Sequence, residues 1–229
     1  MVARTAAVFF DVDFTLIHPG PMFQAVGYKA SCARYGIDVD ESKFDAAVAG
    51  AGSVLDEAVD QLYDSGLYVA YTRRIIQLMG GAGPRLDEVA QEIYDEWAKH
   101  HHFSLYDDVP GALRALRARG LRLGLISNSH RCLASFQSHF DLEGLITVTV
   151  SSSEHGFLKP HPRIFTAALD LMQVTAAESV MVGDSLVHDI AGARSVGMRA
   201  ILLARRGGEL AGDTDVPVIQ SLSELPALV

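Results

Sequence analysis

The stretch Ala6–Thr15 reads AAVFFDVDFT, in which an apolar run leads directly into two aspartates, Asp11 and Asp13. A continuous apolar run is typical of a strand covered on both faces, as in a parallel sheet. If the strand continued past Phe10, both carboxylates would project to the same side, because side chains alternate. Such a pair can hold a hard cation, or divide the roles of nucleophile and proton donor. Taken alone, it also fits a solvated acidic turn.

Further apolar runs recur along the chain and alternate with helical patterns. The alternation predicts right-handed crossovers and an α/β fold, a doubly wound parallel sheet. The runs are Leu121–Ile126, Ile146–Val150, Ser179–Val182, Arg199–Leu203 and, more weakly, Val216–Ile219, and the helices are expected near 110–119, 130–139, 161–172 and 186–196.

Residues 18–105 break this rhythm and show no strand pattern. Helical patterns lie near 21–35, 41–65, 68–80 and 85–100, separated by glycines that favour turns. We expect a helical cap domain at 18–105, inserted into an α/β core domain formed by 1–17 and 106–229.

Composition and charge limit the functional classes to which the chain can belong. The chain has 229 residues, a net charge of -9 and about half hydrophobic residues, which predicts a globular protein that repels nucleic acid and anionic membranes. The basic groups Arg117–Arg122 and Arg205–Arg206 fit a helix end and a polar turn. Two distant cysteines indicate no disulfide framework, and no run approaches a membrane span. We expect a cytoplasmic protein, monomeric or homodimeric.

Polar residues follow the other apolar runs as well. They include Ser127 and Asn128, Lys159 between a glycine and two prolines, and Asp184, with Asp189 about one helical turn later. Ligands bind at the carboxyl ends of parallel strands, so these groups are expected in one crevice. Each also has an ordinary alternative, either a helix cap or a solvated lysine. Together they supply the acids, hydroxyl and lysine that metal-assisted phosphoryl transfer needs.

The sequence resembles the haloacid dehalogenase superfamily. The matching segments are Asp11-x-Asp13-x-Thr15, Ser127-Asn128, Lys159-Pro160 and Gly183-Asp184-Ser185-x-x-x-Asp189, in the order and spacing typical of that superfamily. The insertion between the first two segments is similar to its helical cap.

The resemblance implies a role for each of these residues. Asp11 would form an aspartyl-phosphate, and Asp13 would protonate the leaving oxygen and then activate water. Ser127, Lys159 and Asn128, the last through its backbone amide, would bind the phosphoryl group. Mg²⁺ would be held by Asp11, Asp184 and the backbone carbonyl of Asp13, while Asp189 would contact the metal through water or anchor Lys159.

Two positions bear on the activity. Phe14 stands where phosphatases of the superfamily usually have glycine, which affects the expected substrate fit more than the chemistry. Asp13 favours a phosphatase of small phosphorylated metabolites over a dehalogenase, because an alkoxide leaving group needs a general acid and a halide does not. A phosphonate hydrolase, a sugar phosphate mutase and a non-catalytic binding protein stay as alternatives.

The tract Lys99–His102 could suggest a metal site. Its position before the return to the core favours an exposed helix end instead.

Overall fold

The computed structural model describes residues 4–57, 61–205 and 214–229. The chain divides into two compact units, one formed by Met1–His18 with Leu105–Val229 and the other by Pro19–Ser104. The strands are β1 Ala7–Phe10, β2 Ile17–Pro19, β3 Phe103–Leu105, β4 Arg122–Ser127, β5 Ile146–Ser151, β6 Ser179–Gly183, β7 Arg199–Leu203 and β8 Val218–Ile219.

Six of these strands form the sheet of the larger unit, in the order β5-β4-β1-β6-β7-β8. Every pairing is parallel, and β1 lies between β4 and β6. The predicted α/β fold with a doubly wound parallel sheet is confirmed. All six apolar runs became strands, and the central strands β1, β4 and β6 are buried on both faces.

The helices are α1 Ala25–Arg34, α2 Phe44–Ala51, α3 Ser65–Leu78, α4 Leu86–Glu96, α5 Val109–Ala118, α6 Leu133–His139, α7 Ser152–His155, α8 Pro162–Met172 and α9 Gly192–Ser195. A π-helical turn, Leu186–Ala191, precedes α9. None of the helices in the described ranges is long and apolar enough to cross a membrane.

The main core of the larger unit joins the sheet to α8 and α9. Phe9, Ile126 and Met181 pack with Phe165 of α8 and Ala193 of α9, and all five are inaccessible to solvent. This packing fixes the strands against the helices that follow them, and so positions the loops at the carboxyl edge of the sheet.

The smaller unit, Pro19–Ser104, is helical. Helix α3 packs against α2 and α4, with Ile75, Ile76 and Ile93 buried between them. The helix expected over 41–65 is interrupted: a 3-10 segment, Gly52–Glu57, follows α2, and residues 58–60 lie outside the described ranges.

The expectation of no strand in 18–105 is wrong at both ends of that stretch. There β2 and β3 pair as a two-stranded sheet, where the chain passes from one unit to the other. Strands of three residues are too short for their periodicity to be visible in the sequence.

The basic pair at 205–206 is only partly described. Arg205 donates to both carboxylate oxygens of Asp108, at 3.1 and 2.9 Å, and to the carbonyl of Thr15. Arg206 lies outside the described residues. The Arg205 guanidinium is therefore engaged within the protein.

Candidate active site

Asp11 lies at the centre of the sheet's carboxyl edge. It follows β1 directly, and its backbone amide donates to the carbonyl of Val182 in β6 at 2.9 Å. Only 6% of the residue is exposed. A carboxylate this buried needs partners, because an isolated charge in the protein interior is costly.

Lys159 supplies the main partner of Asp11. Its Nζ lies 2.5 Å from Oδ1 of Asp11 and 2.6 Å from Oδ1 of Asp189, and all three side chains are nearly inaccessible. The alternative of a solvated loop lysine is therefore wrong. One buried ammonium holds two carboxylates that are far apart in the sequence.

Asn128 positions Lys159 through its backbone. The Asn128 amide donates to the carbonyl of Lys159 at 2.9 Å, and its side-chain oxygen accepts from the Lys159 amide at 2.7 Å. The Asn128 side chain therefore holds the loop that carries Lys159, which leaves only its backbone amide for a phosphoryl group.

Two buried hydroxyls lie near this edge. Ser127 ends β4 and Thr15 follows Asp13, and both are fully buried. Neither Ser127 Oγ nor Thr15 Oγ1 has a hydrogen-bond partner among the described residues. An orphaned buried hydroxyl is costly unless a ligand completes its bonding.

Asp13 is oriented by a residue that the sequence did not single out. Arg131 Nη1 donates to both carboxylate oxygens of Asp13, at 3.0 and 3.1 Å, and the Arg131 side chain is completely buried. Its only signal in the sequence was a basic residue four positions after Ser127, and a lone arginine there has many structural explanations.

The turn after Asp13 contains a residue in an uncommon conformation. Phe14 has φ 63°, in the left-handed region that glycine adopts without a steric penalty. The turn lets Asp13 bridge to Ile17. The left-handed geometry explains physically why glycine is favoured at this position.

Asp184 follows β6 and completes a cluster of acids. One carboxylate oxygen from each of Asp11, Asp184 and Asp189 lies within 4.8 Å of the others. Ser185, rather than Asp184, caps the π-helical turn by accepting from the His188 amide. The Asp184 carboxylate is therefore left for a ligand, and the all-oxygen donor set fits Mg²⁺.

The clustered charges shift the pKa values of the acids. Desolvation raises the pKa of Asp11 to about 6 although Lys159 opposes the shift, and the Asp189 carboxylate adds to it. The pKa of Asp184 rises to about 8 through desolvation and repulsion from Asp11 and Asp189.

The pKa values of Asp13 and Lys159 are also raised. Desolvation raises the pKa of Asp13, and Arg131 counteracts only part of the effect. Desolvation acts to lower the pKa of Lys159, but Asp11 and Asp189 outweigh it and raise that pKa above its ordinary value. Lys159 therefore stays charged, while the acids around it favour a bound cation.

The family model for haloacid dehalogenase-like hydrolases matches residues 5–197, which include every residue of the candidate active site. The chain belongs to this hydrolase family. Its motif set is of the phosphatase type, since an aspartate stands at position 13.

Relatives of this haloacid dehalogenase-like hydrolase agree with the assignment. Haloacid dehalogenase-like hydrolase domain-containing protein 3 of Danio rerio is 35% identical over 129 residues, 55% of this chain and 53% of that protein. The chain thus spans about half the length of that relative. Glyceraldehyde 3-phosphate phosphatase of Pyrococcus abyssi is 28% identical over 210 residues, 85% of this chain and 79% of that protein.

A solved structure is similar in fold to this hydrolase over nearly the whole chain. The crystal structure of a haloacid dehalogenase phosphatase from Thermococcus onnurineus has a TM-score of 0.66 at 25% identity. The match covers 98% of this chain and 97% of that chain.

Proposed function

We propose that this hydrolase is a Mg²⁺-dependent phosphomonoesterase of small phosphorylated metabolites that acts through an aspartyl-phosphate. The observation that carries the proposal is the buried contact of Lys159 Nζ with Asp11 and Asp189, 2.5 and 2.6 Å away. It holds an anionic nucleophile beside a cation that can offset the charge of a second anion, the phosphoryl group.

Asp11 and Asp184 would hold the metal, together with the backbone carbonyl of Asp13, and Asp189 would complete the acidic cluster. The fit rests on their three carboxylate oxygens, which lie within 4.8 Å of one another, and on the raised pKa of Asp184. Bound Mg²⁺ would neutralise phosphoryl oxygens and help to orient the substrate. Asp189 would contribute mainly by fixing Lys159, because its Oδ1 accepts from that ammonium and its Oδ2 from the Ser185 amide.

Asp11 would carry out the first step. Lys159 is bonded to Oδ1, so Oδ2 is the oxygen that attacks phosphorus. A bond forms between Oδ2 and phosphorus while the bond from phosphorus to the leaving oxygen breaks. The Ser127 hydroxyl, which has no partner in the described part of the chain, would bind a phosphoryl oxygen together with the Lys159 ammonium.

Asp13 would move the protons in both steps. It donates a proton to the leaving oxygen, then takes one from the water that attacks the aspartyl-phosphate and releases phosphate. Its raised pKa suits a group that must carry a proton before it acts. Arg131 would be a positioning residue, since it fixes both oxygens of the Asp13 carboxylate.

The substrate class is supported by chemistry and by relatives. The net charge of -9 disfavours a polyanionic polymer such as nucleic acid, and the Pyrococcus abyssi relative bears the name glyceraldehyde 3-phosphate phosphatase. We propose that the helical unit, 19–104, serves as the cap and sets specificity, as inserted segments often do.

Phosphate release from an aryl phosphate tests the proposal. Wild type should release phosphate with Mg²⁺ and lose this activity after chelation. Asp11→Asn should lower kcat by a factor of at least about 10³, because the amide cannot form the covalent intermediate. Asp170→Asn, which changes an exposed aspartate on α8, is the matched control and should keep wild-type activity.

Trapping of the aspartyl-phosphate distinguishes covalent catalysis from direct attack of water on the substrate. Acid-quenched wild type should carry phosphate on the Asp11 peptide, detectable by mass spectrometry, and Asp11→Asn should carry none. Metal-dependent release that persists in Asp11→Asn would contradict the proposed mechanism. Values of kcat/KM for a panel of sugar, nucleotide and organic-acid phosphates then rank the substrates.

A further inference from the structure

The helical unit contains a second cluster of possible metal ligands, which the proposed hydrolysis does not use. One ligand atom from each of Glu96, His101 and His102 lies within 4.8 Å of the others. All three residues belong to the unit Pro19–Ser104. The cluster combines two imidazoles with one carboxylate, which differs from the all-oxygen set around Asp11.

The local backbone brings adjacent histidines to one place. Helix α4 ends at Glu96, and the chain then forms a 3-10 turn over His100–His102. In this turn the rings of His101 and His102 lie 4.1 Å apart between centroids and 49° from parallel. The earlier interpretation of an exposed helix end is incomplete, because His102 folds back onto Glu96.

His102 is held in place from several sides. Its Nε2 lies 2.7 Å from Oε2 of Glu96, and its ring meets the edge of Phe23 at 5.7 Å. Its backbone carbonyl accepts from the Gly20 amide at 2.7 Å. One of the three ligands is therefore positioned before any metal arrives, which reduces the entropy lost on binding.

Glu96 lies where a negative charge is unfavourable. The carboxyl end of a helix carries partial negative charge, and α4 has no basic residue in its last turn. Lys99 compensates by donating to Oε1 of Glu96 at 2.5 Å, and His102 occupies Oε2. Since half of the Lys99 side chain is exposed, it can move aside for a cation of higher charge.

We propose that Glu96, His101 and His102 form a binding site for a divalent transition metal of the zinc class. Two imidazole nitrogens and one carboxylate oxygen are a donor set that Zn²⁺, Ni²⁺ and Co²⁺ prefer and Mg²⁺ does not. The metal replaces the bond between His102 and Glu96 by coordinating both, with water in the open position. It ties the end of α4 to the following turn and stabilises the helical unit.

Trp97 offers a direct readout, because it is the only tryptophan of the chain and follows Glu96. The 229-residue chain is titrated with Co²⁺ or Zn²⁺ in excess Mg²⁺, which competes at the Asp11 cluster. A Cys132→Ser background removes an exposed thiol. We expect one equivalent of Co²⁺ to quench Trp97, and Zn²⁺ to raise the thermal unfolding midpoint.

Variants distinguish a specific three-ligand metal site from adventitious binding to a run of histidines. Glu96→Gln, His101→Asn and His102→Asn should each weaken Co²⁺ binding by roughly tenfold or more, while His100→Gln, in the same turn, should bind like the parent. Circular dichroism checks that each variant is folded. Failure of the parent to bind, or binding that depends on His100 and ignores Glu96, would overturn the proposal.

Discussion

At the scale of single residues, Arg131 and Asp13 present opposing requirements. A general acid must carry a proton, yet a guanidinium bonded to both oxygens of Asp13 favours the ionised form. Burial acts in the opposite direction and raises the pKa of Asp13 overall. Arg131 therefore fixes the carboxylate's orientation while desolvation keeps its proton affinity high.

Substitution of Arg131 should affect catalysis in a specific way. Arg131→Lys keeps the charge but loses the fork geometry, so we expect kcat to fall roughly 10- to 100-fold, as for a misplaced catalytic group. Arg131→Met also removes the charge that lowers the pKa of Asp13, so the alkaline limb of kcat/KM should move to higher pH.

Profiles of kcat/KM against pH for both variants provide the measurement. Arg114→Met, which removes an exposed arginine from α5, is the control and should reproduce the wild-type profile. A profile that merely scales down in Arg131→Met, with its alkaline limb unmoved, would argue for a purely structural role of Arg131.

At the scale of elements, the junction between β6 and the π-helical turn determines the acid cluster. A Cβ on Gly183 would lie 2.2 Å from Oδ2 of Asp189, far inside van der Waals contact. The strand end can approach this carboxylate only because residue 183 has no side chain. Asp189 then reaches both Lys159 and the Ser185 amide.

Gly183→Ala should displace Asp189 and disturb Lys159. We expect a loss of about 1–3 kcal/mol of unfolding free energy, as for overpacked sites, together with reduced phosphatase activity. Gly111→Ala in α5 is the matched control, because a Cβ there meets nothing within 4 Å. The control should gain about 0.5–1 kcal/mol from helix propensity. Equal stabilities of the two variants in urea unfolding would contradict this account.

At the scale of the whole molecule, the active-site acids act against stability when no metal is bound. The folded pKa values of Asp11 and Asp184, about 6 and about 8, exceed the value near 3.9 of an unfolded aspartate. The folded state therefore binds more protons than the unfolded state between about pH 4 and pH 8, and its stability falls as pH rises through that window.

Metal-free protein should therefore unfold at a lower temperature at about pH 8 than at about pH 6. Asp184→Asn should flatten this dependence, since it removes one titrating acid and its repulsion. Mg²⁺ should raise the unfolding temperature most at the higher pH, where the acids are ionised. Asp170→Asn, which changes an exposed aspartate outside the cluster, should behave like wild type. Unfolding temperatures are measured against pH for wild type with and without Mg²⁺ and for both variants. If the unfolding temperature of Asp184→Asn depends on pH as steeply as that of wild type, the proposed effect of the acid cluster is contradicted.

The sequence by itself determined the fold class and which acids stand at the strand ends. Apolar runs such as Ala7–Phe10 and Arg199–Leu203 are local signals, and strand alternation restricts their arrangement to a parallel sheet. Asp11, Asp13 and Asp184 could be singled out because each lies within three residues of the end of such a run.

Only the tertiary structure decided which side chains meet. Lys159 pairs with Asp11 across 148 positions, and Arg131 with Asp13 across 118. The fold of His102 onto Glu96 depended on a 3-10 turn that three histidines do not specify. Contacts of this kind depend on loop paths and on burial, which no local period encodes. Local periodicity therefore predicted the sheet, whereas the ion-pair partners could be identified only in the tertiary structure.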